Sequence, residues 1–298
     1  ISSNNKNVTL TVNNCVFDGY GNTGVGAYGN ITISDTVIKN CGSNGAFITA
    51  YNDYQAFITG CTFEGNSTAI GAGTCENIHI TGCTYTGNGT AIRGSRFSMG
   101  GSFTMTDNTT GIDTNGNASA IKVSAPLSGN IEITCPLQIG ETILAQPADG
   151  YTITADDAAV FSCNADTATG LTVSAPRLNA DNKIVVDVTT NDIYWAAGSV
   201  IPATEIVGGT ADDPVTVYVQ GDITTTGNIT VSSGYVRFVS EQPEGGNETV
   251  RHTITDRNPY SGSNAGVATI LLRPDVNVTV ENLIFQSGPS YGISSNHN

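Results

Sequence analysis

Positive charge is scarce in this sequence. Only 11 residues are Lys or Arg, against 26 Asp or Glu, and the formal net charge at pH 7 is −15. Proteins that bind nucleic acid or an anionic membrane surface present clustered basic residues to the phosphates, and no such cluster occurs here. We therefore expect no nucleic-acid partner.

Long hydrophobic runs and strong helix signals are also missing. No segment approaches the roughly 18 consecutive apolar residues of a membrane-spanning helix, so we expect no membrane insertion in this fragment. Ile1 lies in patterned sequence rather than in a signal peptide, and we expect any targeting signal outside the fragment. The 35 glycines and the abundance of Thr, Asn, Val and Ile favour strands and turns over helices.

The sequence does contain an internal repeat. The stretch ITGCTFEGNSTAI at 58–70 returns as ITGCTYTGNGTAI at 80–92. Alignment on the apolar residue before the turn gives further copies, with neighbouring copies 21 to 25 residues apart. A period of this length indicates a solenoid. The aligned residues, which we call anchors, are Val12, Ile33, Ile58, Ile80, Met105 and Val280.

Each copy carries the same backbone preferences around its anchor. The residue two places before the anchor is apolar, and this period of two predicts a half-buried strand whose anchors face inward. The residue two places after the anchor belongs to a type that tolerates the left-handed backbone conformation, which predicts a sharp corner. These corner residues are Asn14, Asp35, Gly60, Gly82, Asp107 and Asn282.

Beyond the corner, a second set of inward positions begins. We expect the residue after the corner and the aromatic residue two places later to face the core. A third short strand follows, as at Ala69-Ile70 and Ala91-Ile92, so that three strands and three corners make one coil. The residues that follow the corner in this ladder include Cys15, Cys61, Cys83 and Leu283.

Such coils stack about 4.8 Å apart, each strand pairing with its copies above and below. The sequence therefore predicts an all-β fold, a right-handed parallel β-helix with three short strands in each coil of about 21 to 25 residues. We place regular coils at 1–120 and 215–298. The segment 121–214 breaks the rhythm and contains prolines at 126, 136, 147 and 176 among others, so we expect an additional β-rich module or irregular coils there.

The coil pattern resembles the pectate-lyase-like superfamily, and within it the bacterial surface repeats that carry F-x-x-N followed by a G-G-A-I-like strand. Phe63-Glu-Gly-Asn66 with Ala69-Ile70 matches best, and Tyr85-Thr-Gly-Asn88 matches with Tyr in place of Phe. Thr-Ala-Ile stands where the family often has Gly-Gly-Ala-Ile. The resemblance covers about 1–120 and 215–298, and it implies a fold that serves both enzymes and inert stalks.

The seven cysteines are expected to be free core thiols. Cys61 and Cys83 share one inward slot in adjacent coils, and Cys15 occupies it two coils before Cys61. Adjacent Cα atoms fall within disulfide range, but parallel Cβ vectors give poor bridge geometry, and the count is odd. Disulfides or a metal site are the alternatives, but no C-x-x-C pair occurs and histidine is rare.

No catalytic constellation is recognisable. The resemblance would imply clustered Asp residues with Gly-His-Gly, or acidic calcium ligands beside an Arg or Lys base, and neither set occurs. The carboxylate doublets Asp156-Asp157 and Asp212-Asp213 lie in turn-like sequence, where solvation is expected and weak calcium binding is the alternative. We assign no catalytic residue, metal ligand or cofactor. The histidines, none beside a carboxylate pair, are His79, His252 and His297.

Two binding hypotheses remain from the sequence. Tyr20, Tyr28, Tyr51 and Tyr54 lie in the longer loops of the early coils, where rings could stack on sugars or pack within the loops. Thr-x-Thr pairs at 9–11, 84–86 and 104–106 resemble ice-binding rows, but our alignment puts them in different slots, so we expect no common plane.

The sequence favours a non-catalytic extracellular protein at the cell surface, a structural or adhesive repeat unit of a microbial stalk or fibre. The alternative is a carbohydrate-active enzyme of the pectin-lyase type acting on polysaccharide. Glycans or host surface proteins are candidate partners. Self-association or tandem continuation is another expectation, because ISSNNK at 1–6 returns as ISSNHN at 293–298. In that register 215–298 continues into a unit starting at residue 1, as a tandem repeat, a fibre or a permuted closure.

Overall fold

The computed structural model describes residues 1–3, 8–48, 54–72, 77–94, 96–114, 121–133, 139–163, 171–242, 249–257, 268–286 and 291–295. The chain is all-β and forms a parallel right-handed β-helix of about ten turns, as the sequence predicts. In the described residues, the one α-helix is α1 (Ala155–Ala159). The chain divides into two compact units, Ile1–Asn164 with Val173–Asp187 and Ala165–Thr172 with Val188–Asn298.

Unit 1 contains three parallel sheets, and each regular coil adds one strand to each. Sheet 1 contains β2 (Leu10–Asn13), β5 (Ile31–Ser34), β8 (Ala56–Thr59), β11 (Ile78–Thr81), β14 (Phe97–Thr106), β16 (Ile121–Gly129) and β18 (Gly140–Pro147). Sheet 2 contains β3 (Val16–Asp18), β6 (Val37–Lys39), β9 (Thr62–Glu64), β12 (Thr84–Thr86) and the last residues of β14. Sheet 3 contains β1 (Ser2–Ser3), β4 (Val25–Ala27), β7 (Asn44–Ile48), β10 (Thr68–Ala72), β13 (Thr90–Arg93), β15 (Thr110–Asp113), β17 (Ile131–Ile133) and β19 (Phe161–Cys163).

Alternation along the strands builds the core of unit 1. In β5, Ile31 and Ile33 are buried, while the intervening Thr32 and Ser34 are half-buried. Ile33 pairs with Ile58 in the next coil, and Ile58 pairs with Ile80. Each apolar side chain therefore lies on its counterpart in the neighbouring coil, and these contacts between adjacent coils remove it from water.

Two corners of each regular coil use the left-handed conformation. The first corner, between sheets 1 and 2, has φ of 49° at Asn14, 48° at Asp35, 62° at Gly60 and 57° at Gly82. The second corner, between sheets 2 and 3, is not distinguished by the sequence alignment. Positive φ excludes most side chains, which explains why Gly, Asn and Asp recur at both. The second-corner residues are Gly19, Asn40, Gly65, Gly87 and Asp107.

The alignment of the fifth copy is wrong. The register partner of Ile80 is Met99, whereas Met105 pairs with Tyr85 in sheet 2. Asp107 has φ of 56° but lies at the second corner, and Gly101, with φ of 82°, turns the chain at the first. The error arises because Met-Thr-Asp imitates the spacing from anchor to corner, and both corners accept the same residue types.

The described residues of unit 2 also form three parallel sheets, with four strands in each. Sheet 4 contains β23 (Ile193–Trp195), β26 (Val215–Val219), β29 (Tyr235–Ser240) and β32 (Asn277–Glu281). Sheet 5 contains β24 (Val200–Ile201), β27 (Ile223–Thr225), β30 (His252–Asp256) and β33 (Leu283–Gln286). Sheet 6 contains β25 (Thr204–Val207), β28 (Ile229–Ser233), β31 (Ala268–Leu272) and β34 (Tyr291–Ser295).

The segment 121–214 is divided between the two units. Its first part continues unit 1 through β16 to β19, and β21 (Arg177–Leu178) pairs antiparallel with β22 (Ile184–Thr190). β20 (Leu171–Val173) precedes them. Its last part contributes the coil of β23, β24 and β25 to unit 2. The boundaries drawn at 120/121 and 214/215 therefore differ from the structural division, because these coils lack the anchor and corner pattern yet pair in register with their neighbours.

Candidate functional site

Cys61, Cys83 and Thr36 share one inward column of unit 1, whereas Cys41 lies outside it. The Sγ of Cys61 lies 3.3 Å from the carbonyl oxygen of Thr59, and the Sγ of Cys83 lies 3.5 Å from that of Thr81. In the coil before Cys61, the Thr36 hydroxyl donates to the Ser34 carbonyl at 2.8 Å. This column therefore places a donor beside the carbonyl two residues earlier, on the other side of the corner.

The described cysteines are all thiols, and none of them forms a disulfide. Cys41, Cys61 and Cys83 are buried and Cys163 is half-buried, while Cys75 and Cys135 lie outside the described residues. The contact with Cys61, together with burial, raises the pKa of the Cys83 thiol well above its ordinary value, which keeps it protonated and unreactive. Cys15 is exposed, contrary to the predicted buried stack. It follows β2 and precedes β3, which are the outermost strands of sheets 1 and 2.

A ladder of asparagine side chains holds the second corner. The Oδ1 of Asn88 accepts from the backbone N–H and the Nδ2 of Asn66, both at 3.0 Å. The Nδ2 of Asn88 donates to the Phe63 carbonyl at 3.1 Å and to Asn108 Oδ1 at 2.9 Å. Asn66 and Asn88 are buried, so their amides satisfy backbone groups that water does not reach. The sequence indicates both residues through F-x-x-N, but the shifted alignment hides Asn108.

An aromatic stack lies next to this ladder. The rings of Phe63 and Tyr85 are parallel within 6°, with centroids 5.4 Å apart, and both side chains are fully buried. Burial, with the neighbouring Cys83, raises the pKa of Tyr85 well above its ordinary value. The column therefore excludes water from the centre of the coil, and nothing in it presents a reactive group to solvent.

The described histidines are not part of an acid–base set. His79 faces outward, its ring stacks on Phe57 with centroids 4.9 Å apart, and its Nδ1 lies 2.6 Å from Ser98 Oγ. Burial lowers the pKa of His79. His252 is half-buried in β30, and His297 lies outside the described residues. The contacts of His79 are those of a packed surface side chain.

One of the two carboxylate doublets forms a helix cap rather than a turn. Asp157 is buried in α1 and accepts from the Leu127 N–H at 2.7 Å and the Tyr151 hydroxyl at 2.8 Å. The N–H and hydroxyl of Thr154, the N-cap residue, also donate to it. Asp213 lies in a loop, where its N–H donates to the Thr210 hydroxyl at 3.1 Å. Within the described ranges, no group of three or more His, Cys, Asp and Glu could hold a metal ion.

Two of the three Thr-x-Thr pairs share one face, contrary to the sequence prediction, whereas Thr11 of the remaining pair lies in sheet 1 beside Thr32. Thr84 pairs with Thr104 and Thr86 with Thr106, all on the outward side of sheet 2. The misplaced Met105 caused the error. The hydroxyl rows are short. The row of Thr104 and Thr84 continues only to Thr62 before it meets Val37, and the row of Thr106 and Thr86 meets Glu64.

The tyrosine loops give limited exposed aromatic surface. Tyr20 is 48% exposed, and its ring centroid lies 6.2 Å from that of Phe17. Tyr28 and Tyr54 are half-buried, and Tyr51 lies outside the described residues. In unit 2, Tyr194 is 59% exposed and its ring stacks on Tyr218 with centroids 5.0 Å apart.

The last coil of unit 2, which we call the end coil, has an open apolar interior. It consists of β32, β33 and β34, each of which is the outermost strand of its sheet and pairs on one side only among the described strands. Val280 lies on Phe238, which is fully buried, yet Val280 is itself only half-buried. The same holds for Phe285 on Ile254, and Ile293 is 41% exposed above the buried Ile270.

Unit 1 has a matching outermost coil, which we call the first coil, made of β2, β3 and β4. Its inward residues Leu10, Val12 and Phe17 continue the columns of Ile31, Ile33 and Ile38. The outward Val16 is 67% exposed. Among the strands that the structure describes, β2 and β3 pair on one side only, and β4 is flanked by the two-residue β1.

Together the fold and these contacts define a solenoid of stacked parallel coils with an interior of side-chain ladders. Comparison with protein-family models, curated proteins and solved structures gave no match to the chain. Among the described residues, no helix is long and apolar enough to cross a membrane.

Proposed function

We propose that the chain is a non-catalytic structural or adhesive element of a cell surface, a repeat unit of an extracellular stalk or fibre. The observation that carries the proposal is the open interior of the end coil. Val280, Phe285 and Ile293 are incompletely buried there, whereas their partners one coil earlier are fully buried. Unpaired strand edges with apolar side chains are templates for further strands.

A solenoid suits an extended structural role for a physical reason. Each coil contacts only its neighbours, so stability grows with every added coil and no central ligand is needed. The asparagine ladder and the outward polar rows provide hydrogen-bond partners for the polar groups of each coil from within that coil and its neighbours. The resemblance of Phe63-Glu-Gly-Asn66 to the pectate-lyase-like surface repeats supports a location outside the cell.

An adhesive role would use exposed aromatic rings. Tyr194 and Tyr218 lie side by side on the outward face of sheet 4, and such rings stack on the apolar faces of sugars. A glycan array with the native chain and Tyr194→Ala tests this role. We expect the native chain to retain a glycan that the variant loses.

The structural role is tested by concentration-dependent assembly. We expect sedimentation velocity to show species that grow beyond one chain as the concentration rises, and electron microscopy to show copies joined end to end. Val280→Lys places a charge inside the end coil and should leave the chain monomeric. Thr279→Lys places the same charge on the outward side of β32 and should preserve assembly.

Two results would contradict the proposal. One is a chain that stays monomeric at every concentration tested. The other is robust turnover of acidic or neutral polysaccharides, which would favour the pectin-lyase-type enzyme instead.

A further inference from the structure

We propose that the end coil binds the first coil of a second copy of this chain, and that Ile293–Ser295 takes the place of that copy's β1. This inference rests on the proposed function, since it names the partner of the open end. In the junction, β2, β3 and β4 of the second copy pair in parallel with β32, β33 and β34. The assembly is thus β-strand addition at three sheet edges at once.

First, β34 and the segment that includes β1 contain the same tripeptide, and both form the third strand of a coil. Ile-Ser-Ser occurs at 1–3 and again at 293–295. Ser2 pairs with Gly26 and Ser3 with Ala27, which sets Ile1 beside Val25. The Ile1 carbonyl accepts from the Gly26 N–H at 2.8 Å. Ile293 occupies the equivalent inward position in sheet 6, paired with Ile270.

The second step is that the other two strands then fall into register without adjustment. The same spacing separates the inward residues, the corner and the aromatic residue in both coils, so Val280 faces Val12 and Phe285 faces Phe17. The corner residues Asn282 and Asn14 have nearly equal φ, 56° and 49°. All three sheets can therefore continue across the junction together.

The third step concerns the outward side chains at the junction. Val16 is 67% exposed and Ile284 is 45% exposed, and the register sets them side by side. Inside their own units they face Val37 and Thr253. Two exposed β-branched residues, one on each surface, thus become one covered pair. The outward positions two residues further along β33 and β3 are Gln286 and Asp18, so this pair does not place like charges together.

The fourth step is that β1 and β34 compete for one place. A second copy cannot keep β1 beside β4 while β34 of the first copy lies there. The two segments carry the same three residues, so one can replace the other with the same backbone pairing. β1 is two residues long and, within the described part of the chain, pairs with β4 alone, so β1 is the strand that is displaced.

Strand displacement is tested by deleting residues 1–7. We expect this deletion to lower the concentration needed for assembly at least several-fold, because no strand has to leave. Deleting 1–7 and 291–298 together should raise that concentration above the native value, because neither copy then supplies the strand beside β4. If the single deletion leaves assembly unchanged or weakens it, displacement is wrong.

The register is tested by pyrene labels in a Cys15→Ser background, which removes the exposed thiol of the first coil. One preparation carries Val16→Cys and the other Ile284→Cys, and their mixture should show excimer fluorescence that grows with assembly. The matched control replaces Ile284→Cys by Thr224→Cys, an outward position on the same sheet but two coils before the end. We expect no excimer from that mixture.

The outcomes separate this inference from the proposed function. Concentration-dependent assembly without the Val16–Ile284 excimer would overturn the register and leave the structural role standing. An excimer within a doubly labelled chain at high dilution would show closure inside one copy and overturn the second-copy partner. A chain that never assembles would overturn both.

Discussion

The guanidinium Nε of Arg93 lies 3.2 Å from a carboxylate oxygen of Asp113, on directly paired positions of β13 and β15. The sequence predicts this pair, because each residue follows the inward isoleucine of the third strand in neighbouring coils. The side chains are 52% and 27% exposed, so water and salt screen the attraction. The pair therefore tests both the outward orientation of the two side chains and the register of β13 against β15.

The first prediction concerns the strength of this pair. A double-mutant cycle with Arg93→Ala and Asp113→Ala should give a coupling energy of no more than about 1 kcal/mol, falling as salt is added. The bidentate pair of Arg237 and Glu281, with contacts of 3.0 and 2.8 Å, is the comparison and should couple at least as strongly. A salt-independent coupling of several kcal/mol for Arg93 and Asp113 would contradict the exposed geometry.

The second prediction concerns the asparagine ladder. Asn88→Ala should destabilise unit 1 by about 2 to 4 kcal/mol, because it leaves the buried Asn66 backbone N–H without its acceptor and removes the side-chain donor to the Phe63 carbonyl. Denaturant unfolding monitored by circular dichroism measures the loss. Asn108→Ala is the control in the same slot and should cost less, since Asn108 is only half-buried. Equal losses for the two variants would contradict this reading.

The third prediction concerns the thiol column. From the sequence alone, Cys61→Ser would bury a hydroxyl that has no assured hydrogen-bond partner. The structure supplies an acceptor, the Thr59 carbonyl, just as the Ser34 carbonyl accepts from the Thr36 hydroxyl. We expect Cys61→Ser to cost about 1 kcal/mol or less and to be no less stable than Cys61→Ala. Thermal unfolding of both variants measures this. A serine variant clearly below the alanine variant would show that the hydroxyl finds no acceptor.

The fourth prediction concerns acid stability at α1. Burial raises the pKa of Asp157, but hydrogen bonds from Leu127, Thr154 and Tyr151 outweigh it and lower the pKa below the ordinary value. Burial and the Asp157 carboxylate raise the pKa of Tyr151 to about 12, so Tyr151 remains a donor at neutral pH.

A lowered pKa in the folded state means that the unfolded chain binds the proton more readily in acid. The stabilisation is therefore complete above the ordinary Asp pKa of about 4 and is lost as the pH falls through the folded value. Asp157→Asn should lower the melting temperature at pH 7. Below pH about 4, the melting temperature of this variant should fall less steeply than that of the native chain. Asp156→Asn, in the same turn, touches none of these bonds and should lose far less stability at pH 7. An unchanged acid slope in Asp157→Asn would contradict the assignment.

The sequence was sufficient for the features that a single coil specifies. Alternating apolar residues around Ile33, Ile58 and Ile80 predict the inward columns, because a strand sends successive side chains to opposite faces. The types of residue at Asn14 and Gly60 predict corners, because few side chains accept positive φ. The end coil follows the same rules, so its strands and its corner at Asn282 can also be predicted from the sequence.

Tertiary structure alone decided which coil positions become neighbours. Met105 and Asp107 satisfy the local pattern of anchor and corner, yet pairing with Tyr85 assigns them to the other sheet and the other corner. The same pairing brings Thr84 and Thr104 onto one face. Pairing with β26, β27 and β28 likewise places the coil of β23 to β25 in unit 2. Residue type sets what one strand can do, but hydrogen bonding between coils sets register, and that depends on the neighbouring strand.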